Sequence, residues 1–421
     1  MSVAGESASR PSLEEFRAQA RSWLLENALP RQGSLADRSA GGWGQGPDRV
    51  GIFHNLSVDD EGAVLGELQG WRQRRFDAGF GPISWERDFG GRGYPPAYEL
   101  AFAEEESRFV VPPQHEAVDI TMGLVAPTIK AWGSAEQQQK YLRPMLRGEV
   151  IWCQLFSEPE AGSDLAGLKT QAVRDTDGWT INGQKVWTSG AKHAEWGYLL
   201  ARTDLTAEKH RGLTAFLIPM RAPGVEVRPL RQMSGGSSFS EVFFTDLRAA
   251  DSDRLGPCNE GWRVAMTTLG FERVVGSGEG SDLLNRFYRV LDLARHLGRE
   301  NDPVVRQDLV KLYEHARLLE FTNERVRKAL SSGATPGPEG SIGKLFYGQG
   351  LARVSDLVSL LLGQRLMADT GEWGTFAWVE HVTGVPGARI AGGTDEIQRN
   401  VIGERVLGLA REPRVATTRQ T

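Results

Sequence analysis

The sequence predicts a mostly α-helical protein with a β-rich middle. Three observations carry this. Apolar residues recur at helical spacing through the first third of the chain. Short runs rich in β-branched and aromatic residues, separated by turn signals, begin near Ile151. The helical period then returns around Gly261 and persists almost to the end. A period of 3.6 or of 2 is informative because each lays one face of an element on a core.

Each element has its own signal. Ser12 is placed to cap a helix over SLEEFRAQARSWLLENAL, where Leu13, Phe16, Ala20, Trp23 and Leu24 share a face. A polar, glycine-rich stretch follows from about Arg31 to Gly46. GAVLGELQGWRQRRFDAGF reads as a second helix and ends in GFGPISWERDFGGRGYPP, a loop dense in glycine and proline. Further helices are expected from Tyr98 to Val110, through the 120s and 130s, and over GSAEQQQKYLRPMLRGE behind a Ser134 cap. WTINGQKVW, WGYLLART, LTAFLIPM, VEVRPL and EVFFTDL then read as strands of a small antiparallel sandwich or barrel. After Gly261 come four helical stretches long enough for a bundle, and a last helix from Thr394 to Leu407.

Composition narrows the class. The 421 residues carry 49 basic and 54 acidic side chains, a formal net charge of −5. Hydrophobic residues make up 40% and charged residues 24%, ordinary globular usage that argues against disorder. There is no long basic block to suggest nucleic acid. No apolar run reaches the roughly eighteen residues of a membrane span. Two cysteines, Cys153 and Cys258, fit a reducing compartment, and the N-terminus lacks a secretory apolar region. A cytoplasmic protein is expected.

Several familiar motifs fail. GSIGKL at 340–345 resembles a phosphate loop, but Pro338 stands at the first glycine and Leu345 follows Lys344. GSGEG at 276–280 follows a helix rather than a strand, so close helix packing explains it better than a dinucleotide site. His115-Glu116 lacks the second histidine of a zinc helix. Seven scattered histidines and two distant cysteines show no metal-ligand spacing, so no metal is expected. No nucleophile elbow occurs.

Three segments remain: QLFSEPEAGSD (154–164), KVWTSG (185–190) and IAGGTDEIQRN (390–400). The first is a turn that exposes backbone N–H groups and hydroxyls. The second sets an indole beside two hydroxyls at a strand end. The third has two glycines before a helix capped by Thr394. Taken singly, each is an ordinary turn or cap. Together they describe a site for a flat, polar, anionic ligand.

In this order and spacing, the three segments resemble the signatures of the acyl-CoA dehydrogenase family. WERDFGGRG, APTIKAWGSAEQQQKYLRPMLRGE, GLTAFLIPM and GFERVV agree, so the resemblance runs from about residue 12 to 413. It implies an N-terminal helical domain over 1–150, a central β-barrel over 151–260 and a C-terminal four-helix bundle over 261–421. It implies FAD. Gln154, Leu155, Phe156 and Ser157 would line the flavin ring, with Trp187 packed beside it and Thr188 and Ser189 on its edge. Ser163 would lie near the flavin phosphates or the thioester. Arg295 and Gln307 would reach the FAD of a neighbouring subunit. Thr394 and Glu396 match positions that touch the cofactor.

The family removes an α-proton and a β-hydride from an acyl thioester. Many members carry the basic glutamate immediately before the Gly-Thr pair of the last motif. Here that position is Gly392, which keeps only a backbone N–H for the thioester oxygen. A smaller set carries the glutamate on a bundle helix directly before an arginine, and Glu272-Arg273 matches it. Glu272 is therefore the expected base, against the plainer reading of a helix-surface ion pair. Arg273 and Gly393 would face the substrate. An aspartate that some members use for substrate contact is Gly270 here, and the glycine-rich loop that holds the adenine half in some members is absent. Gly270, Gly276, Ser277, Gly278 and Gly280 either widen an acyl cavity or serve close packing.

The resemblance implies a lipid-metabolising dehydrogenase acting on a thioester of CoA or acyl carrier protein. It would pass electrons to an electron-transfer flavoprotein and assemble as a homodimer, homotetramer or heterotetramer. The competing readings are a flavin monooxygenase on the same fold and a non-catalytic subunit of a heteromeric dehydrogenase.

Overall fold

The computed structural model describes residues 10–31, 50–275, 279–331, 337–368, 370, 374 and 377–411. The polar stretch after Arg31 and Gly276–Gly278 of the GSGEG run lie outside them. The chain divides into two compact units. One comprises Met1–Gly41 with Phe53–Phe271, the other Gly42–Ile52 with Glu272–Thr421.

The first unit opens with α1 (Leu13–Asn27), where Ser12 and Glu15 form the reciprocal cap read from the sequence. α2 (Val58–Asp77) and α3 (Pro96–Glu106) complete an aromatic core in which Phe16, Trp71, Phe80 and Phe102 are buried. A pair of two-residue strands, β1 (Leu29–Pro30) and β2 (Phe109–Val110), ties the end of α1 to the chain after α3. α4 (Glu116–Asp119) runs through a π-helical turn (Ile120–Val125) into α5 (Ala126–Trp132). α6 (Ala135–Arg147) follows its Ser134 cap.

The strands of this unit form one eight-stranded sheet: β3 (Trp152–Leu155), β4 (Gln171–Asp175), β5 (Gly178–Ser189), β6 (Trp196–Arg202), β7 (Leu213–Pro219), β8 (Val225–Leu230), β9 (Phe239–Ala249) and β10 (Arg254–Leu255). The order along it is β10-β7-β6-β4-β5-β9-β8, with β3 beside β6. A sheet was expected here and is present; the closed barrel expected with it is not seen. Among the described residues the path ends at β10 and β8, and no pairing closes it. The pairs are antiparallel except at β6, whose contacts with β3 and β4 are parallel. Indoles and aliphatic chains fill its inner faces, with Trp152 and Tyr198 wholly buried.

α7 (Gly261–Val275) is one continuous helix that carries the division between the units, between Phe271 and Glu272. The second unit continues with α8 (Glu279–His296), α9 (Pro303–Ser331), α10 (Gly340–Leu362), α11 (Ala377–Ile390) and α12 (Asp395–Val401). The facing stripes of α8, α9 and α10 bury Leu283, Leu293, Leu312, Leu319, Leu351 and Val358 in its core. Thr394 caps α12, its side chain accepting from the Ile397 N–H at 3.3 Å. No helix of the described residues is long and apolar enough to cross a membrane.

Candidate active site

In the first unit two of the three signature segments meet. β5 is broken by a bulge between Lys185 and Thr188. Trp187 sits in it with φ +60, a left-handed conformation disfavoured for a bulky residue. A bulge re-aims a side chain that regular pairing would send to the other face. The result is an indole that is 61% exposed, with its edge against Phe239 at 5.9 Å. Thr188 and Ser189 on either side of the sheet line are buried. The Thr188 hydroxyl has no protein partner, whereas Ser189 Oγ donates to Glu116 Oε1 at 2.8 Å.

The first signature segment is pinned to the same strand. The Val186 N–H donates to the Ser157 carbonyl at 2.9 Å. Lys185 is fully buried and its ammonium donates to Phe156 O at 2.9 Å and Glu158 Oε1 at 2.8 Å. Glu158 also accepts from the N–H groups of Lys169 and Thr170. Burial works to raise the Glu158 carboxyl, but Lys185 and these donors hold it below its ordinary range. Burial lowers the Lys185 ammonium to about 8, against the pull of Glu158. The pair fixes Phe156–Glu158 beside Trp187. Gln154 is half-buried at the end of β3, Leu155 and Phe156 are buried, Ser157 is half-buried and Ser163 is exposed in the following turn.

In the second unit the expected base and the third segment come together. Gly392 has φ +65, and a Cβ built on it would lie 2.8 Å from Glu272 Oε1. No ordinary side chain occupies that point while Glu272 keeps its place. Gln398 Nε2 donates to Gly392 O at 2.7 Å and Gly393 O at 3.3 Å. Arg389 grips the buried Asp395 through Nε at 2.9 Å and Nη2 at 2.5 Å. The Gly392-Gly393 turn is therefore held on both sides. Arg273 follows Glu272 in α7, and its side chain lies outside the described residues. Arg295, near the end of α8, pairs with Asp292 at 3.3 Å. Gln307 near the start of α9 is exposed, as is Glu396, which pairs with Arg399 at 3.4 Å. Arg295 and Gln307 flank the α8–α9 connection, well separated along the chain from the Gly392 turn.

Sequence reasoning missed a polar cluster in the first unit. Glu61 in the first turn of α2 is fully buried. His54 Nε2 lies 3.1 Å from it, His193 Nε2 3.2 Å, His115 Nε2 3.3 Å and Lys192 Nζ 2.5 Å. Burial works to raise this carboxyl, yet its neighbours hold it far below the carboxylate range. His54, Glu61 and His115 have the donor types of a metal site. Two features favour an ion-pair hub instead. The Lys192 ammonium already supplies the cation. His115 Nδ1 accepts the Ala117 N–H at 3.2 Å, which puts the proton of a neutral ring on the nitrogen facing Glu61. The only sequence signal was the charge of Lys192-His193 beside a strand end. Lys192 and His193 follow Ser189 closely, so the hub anchors the chain just beyond the Trp187 bulge.

Three family models match in succession: the acyl-CoA dehydrogenase N-terminal domain over 55–149, the middle domain over 153–247 and the C-terminal domain over 259–407. The acyl-CoA dehydrogenase IpdE1 of Mycobacterium tuberculosis is 35% identical over 408 residues, covering 95% of this chain and 98% of its own. The chain belongs to the acyl-CoA dehydrogenase family. Among solved structures, the Tcur3481-Tcur3483 steroid ACAD has a TM-score of 0.74 at 26% identity, covering 96% of this chain and 99% of that one. The ChsE4-ChsE5 complex from Mycobacterium tuberculosis has a TM-score of 0.70 at 26% identity, covering 97% and 100%.

Acyl-CoA dehydrogenases are FAD-dependent flavoprotein oxidoreductases of lipid metabolism, and this chain is one of them. Its own residues fit the cofactor. A buried hydroxyl with no protein partner, at Thr188, adjoins an indole that a bulge turns outward. An aromatic face beside an unsatisfied donor suits the polar edge of a flat ring.

Proposed function

We propose that this acyl-CoA dehydrogenase desaturates an acyl-CoA at the α,β position, with Glu272 as the base. One observation carries the assignment: Glu272 Oε1 lies 2.8 Å from the point where a side chain at position 392 would begin. That point adjoins the backbone where many relatives carry their own glutamate. The reaction removes the α-hydrogen as a proton and the β-hydrogen as a hydride, leaving a trans-2-enoyl thioester. FAD supplies the hydride acceptor. Glu272 takes the proton, and Arg273 steadies the base. The Gly392 N–H donates to the thioester oxygen, where negative charge develops. Gln154–Ser157, Trp187, Thr188 and Ser189 would hold the ring, and Ser163, Thr394 and Glu396 its polar extension. Arg295 and Gln307 would serve the cofactor of a second subunit. Gly393 would line the thioester end. Electrons leave to an electron-transfer flavoprotein.

A bulky, steroid-derived acyl group is the substrate class we favour. A solved structure that this chain resembles is a steroid ACAD. In this chain a Cβ built on Gly270, two residues before Glu272, meets no described atom within 4 Å. A heteromeric assembly is a second reading for the quaternary structure, favoured by the ChsE4-ChsE5 complex.

The test is an anaerobic titration of the flavin-loaded protein with butyryl-CoA, octanoyl-CoA and the CoA thioester of a steroid side-chain acid. The steroid thioester is expected to bleach the flavin absorbance most rapidly. Glu272→Gln should slow bleaching by at least about a hundredfold, the range of general base catalysis, with FAD content unchanged. Undiminished bleaching in that variant would exclude Glu272 as the base.

A further inference from the structure

Glu116 is half of a zinc motif that the sequence does not complete. In the structure it lies in α4, exposed, while His115 and Ala117 on either side are buried. Its Oε1 accepts the Ser189 hydroxyl proton at 2.8 Å. Ser189 is buried at the end of β5, two residues past the outward-turned indole. Its strand partner is Phe239, the ring against which Trp187 rests. The fold builds this contact from both sides. Gly190 follows Ser189 with φ +66, and a Cβ on it would stand 2.6 Å from the Ala117 Cβ, so a side chain there would push the strand end off α4. His115 beside Glu116 and Lys192 three residues past Ser189 bind the same buried Glu61, at 3.3 Å and 2.5 Å. One carboxylate thus anchors the chain next to both partners. Desolvation pushes the Glu116 carboxyl above its ordinary range; the Ser189 bond, His115 and His54 pull it down, and Asp119 adds to the rise. Ionised or neutral, its Oε1 can accept from Ser189.

A serine hydroxyl carries one proton. With that proton committed to Glu116, the Ser189 oxygen has only lone pairs left for a ligand. We propose that Glu116 is a positioning residue for Ser189, fixing the hydroxyl so that its oxygen meets the flavin edge as an acceptor. This rests on the reading of Ser189 as a cofactor contact and is independent of which carboxylate acts as the base.

The coupling is tested on FAD release, without a substrate. The absorption spectrum of the flavin-loaded protein is recorded, the protein is diluted, and the rise of free-flavin fluorescence gives the release rate. Ser189→Ala and Glu116→Met are each expected to speed release by about tenfold, the loss of one good hydrogen bond, and to shift the bound spectrum alike. The double variant should release FAD no faster than either single one, because Glu116 acts through Ser189. Glu116→Gln keeps an amide oxygen for the serine proton and should restore most of the parental rate. A parental rate in Glu116→Met would overturn the proposal. So would effects that multiply in the double variant, or equal acceleration in Glu116→Met and Glu116→Gln, which would indicate loosened packing of α4. Should Glu116→Met fail to fold, Glu116→Ala is read against Glu116→Gln with the same criteria. A parental rate and spectrum in Ser189→Ala would overturn it by removing Ser189 from the cofactor site. Failure of the dehydrogenase reading shows instead in the acyl-CoA titration, so the two failures are distinguished.

Discussion

At the scale of single residues, Gly392 is the most constrained position of the site. Two demands meet there. The left-handed φ of +65 costs an L-residue about 1–2 kcal/mol. A methyl group would stand 2.8 Å from Glu272 Oε1, closer than a carbon tolerates, and Gln398 holds the backbone against retreat. Gly392→Ala should therefore displace the carboxylate rather than the turn. A misplacement of about 1 Å costs about a hundredfold in rate, so the variant is expected to lose between tenfold and a hundredfold in kcat. Its FAD content and absorbance spectrum should stay unchanged, because the alanine points at Glu272. Stopped-flow bleaching beside a flavin assay separates the two quantities. A fully active Gly392→Ala would mean that the base does not occupy that space.

At the scale of elements, the question is what locks the Trp187 bulge, since regular β pairing would remove it. Before it along the chain stands the Lys185–Glu158 pair, and after it the Glu61 hub, joined through Lys192 and His193. Glu61→Gln keeps the shape of the side chain and removes its charge. Lys192 then loses its buried counter-charge, a change that typically costs about 3–5 kcal/mol. A clear fall in the thermal midpoint is expected, and Lys192→Met in the same chain should recover part of it. A midpoint within a degree of the parent would mean that the hub bears no strain. These elements also mark what was legible in the sequence. Ser12, Ser134 and Thr394 announced their helices because a cap is a local bond between residues three apart. The strands announced themselves by composition. The hub did not, because His54, His115 and His193 are separated by about sixty residues or more and meet only through the fold. Glu61 looked like a solvated residue in an acidic first helical turn. The bulge at Trp187 was hidden for a related reason: nothing local distinguishes it from a continuing strand. Glu116 and Ser189 likewise meet only through the fold.

At the scale of the whole molecule, the two units should yield to acid at different pH. In the second unit His381 is fully buried, and burial together with Arg286 lowers it to about 3. The contacts explain the neutral ring. His381 Nδ1 faces Arg286 Nη1 at 3.0 Å and must accept, so Nε2 carries the proton toward Leu351 O at 3.2 Å. An unfolded histidine takes up a proton near pH 6.5, and this folded one does not until about 3. The unfolded state therefore binds more protons across that window, and stability of this unit falls steadily as pH drops through it. In the first unit the governing groups are Glu61, Glu105 and Glu158, all buried and all held below the ordinary value of 4.5. Their contribution is fully present above about 4.5 and is lost only as pH falls further. Between pH 6 and pH 5, then, the helical unit should weaken while the sheet-bearing unit does not. Hydrogen exchange read by mass spectrometry on fragments of each unit separates them. Amides in α8–α11 should lose protection first, with β5, β6 and β7 holding until pH falls below about 4.5. Replacing His381 by glutamine, which titrates in neither state, should remove the earlier phase and leave the later one. Simultaneous loss in both units of the parent protein would show that His381 does not govern the acid response.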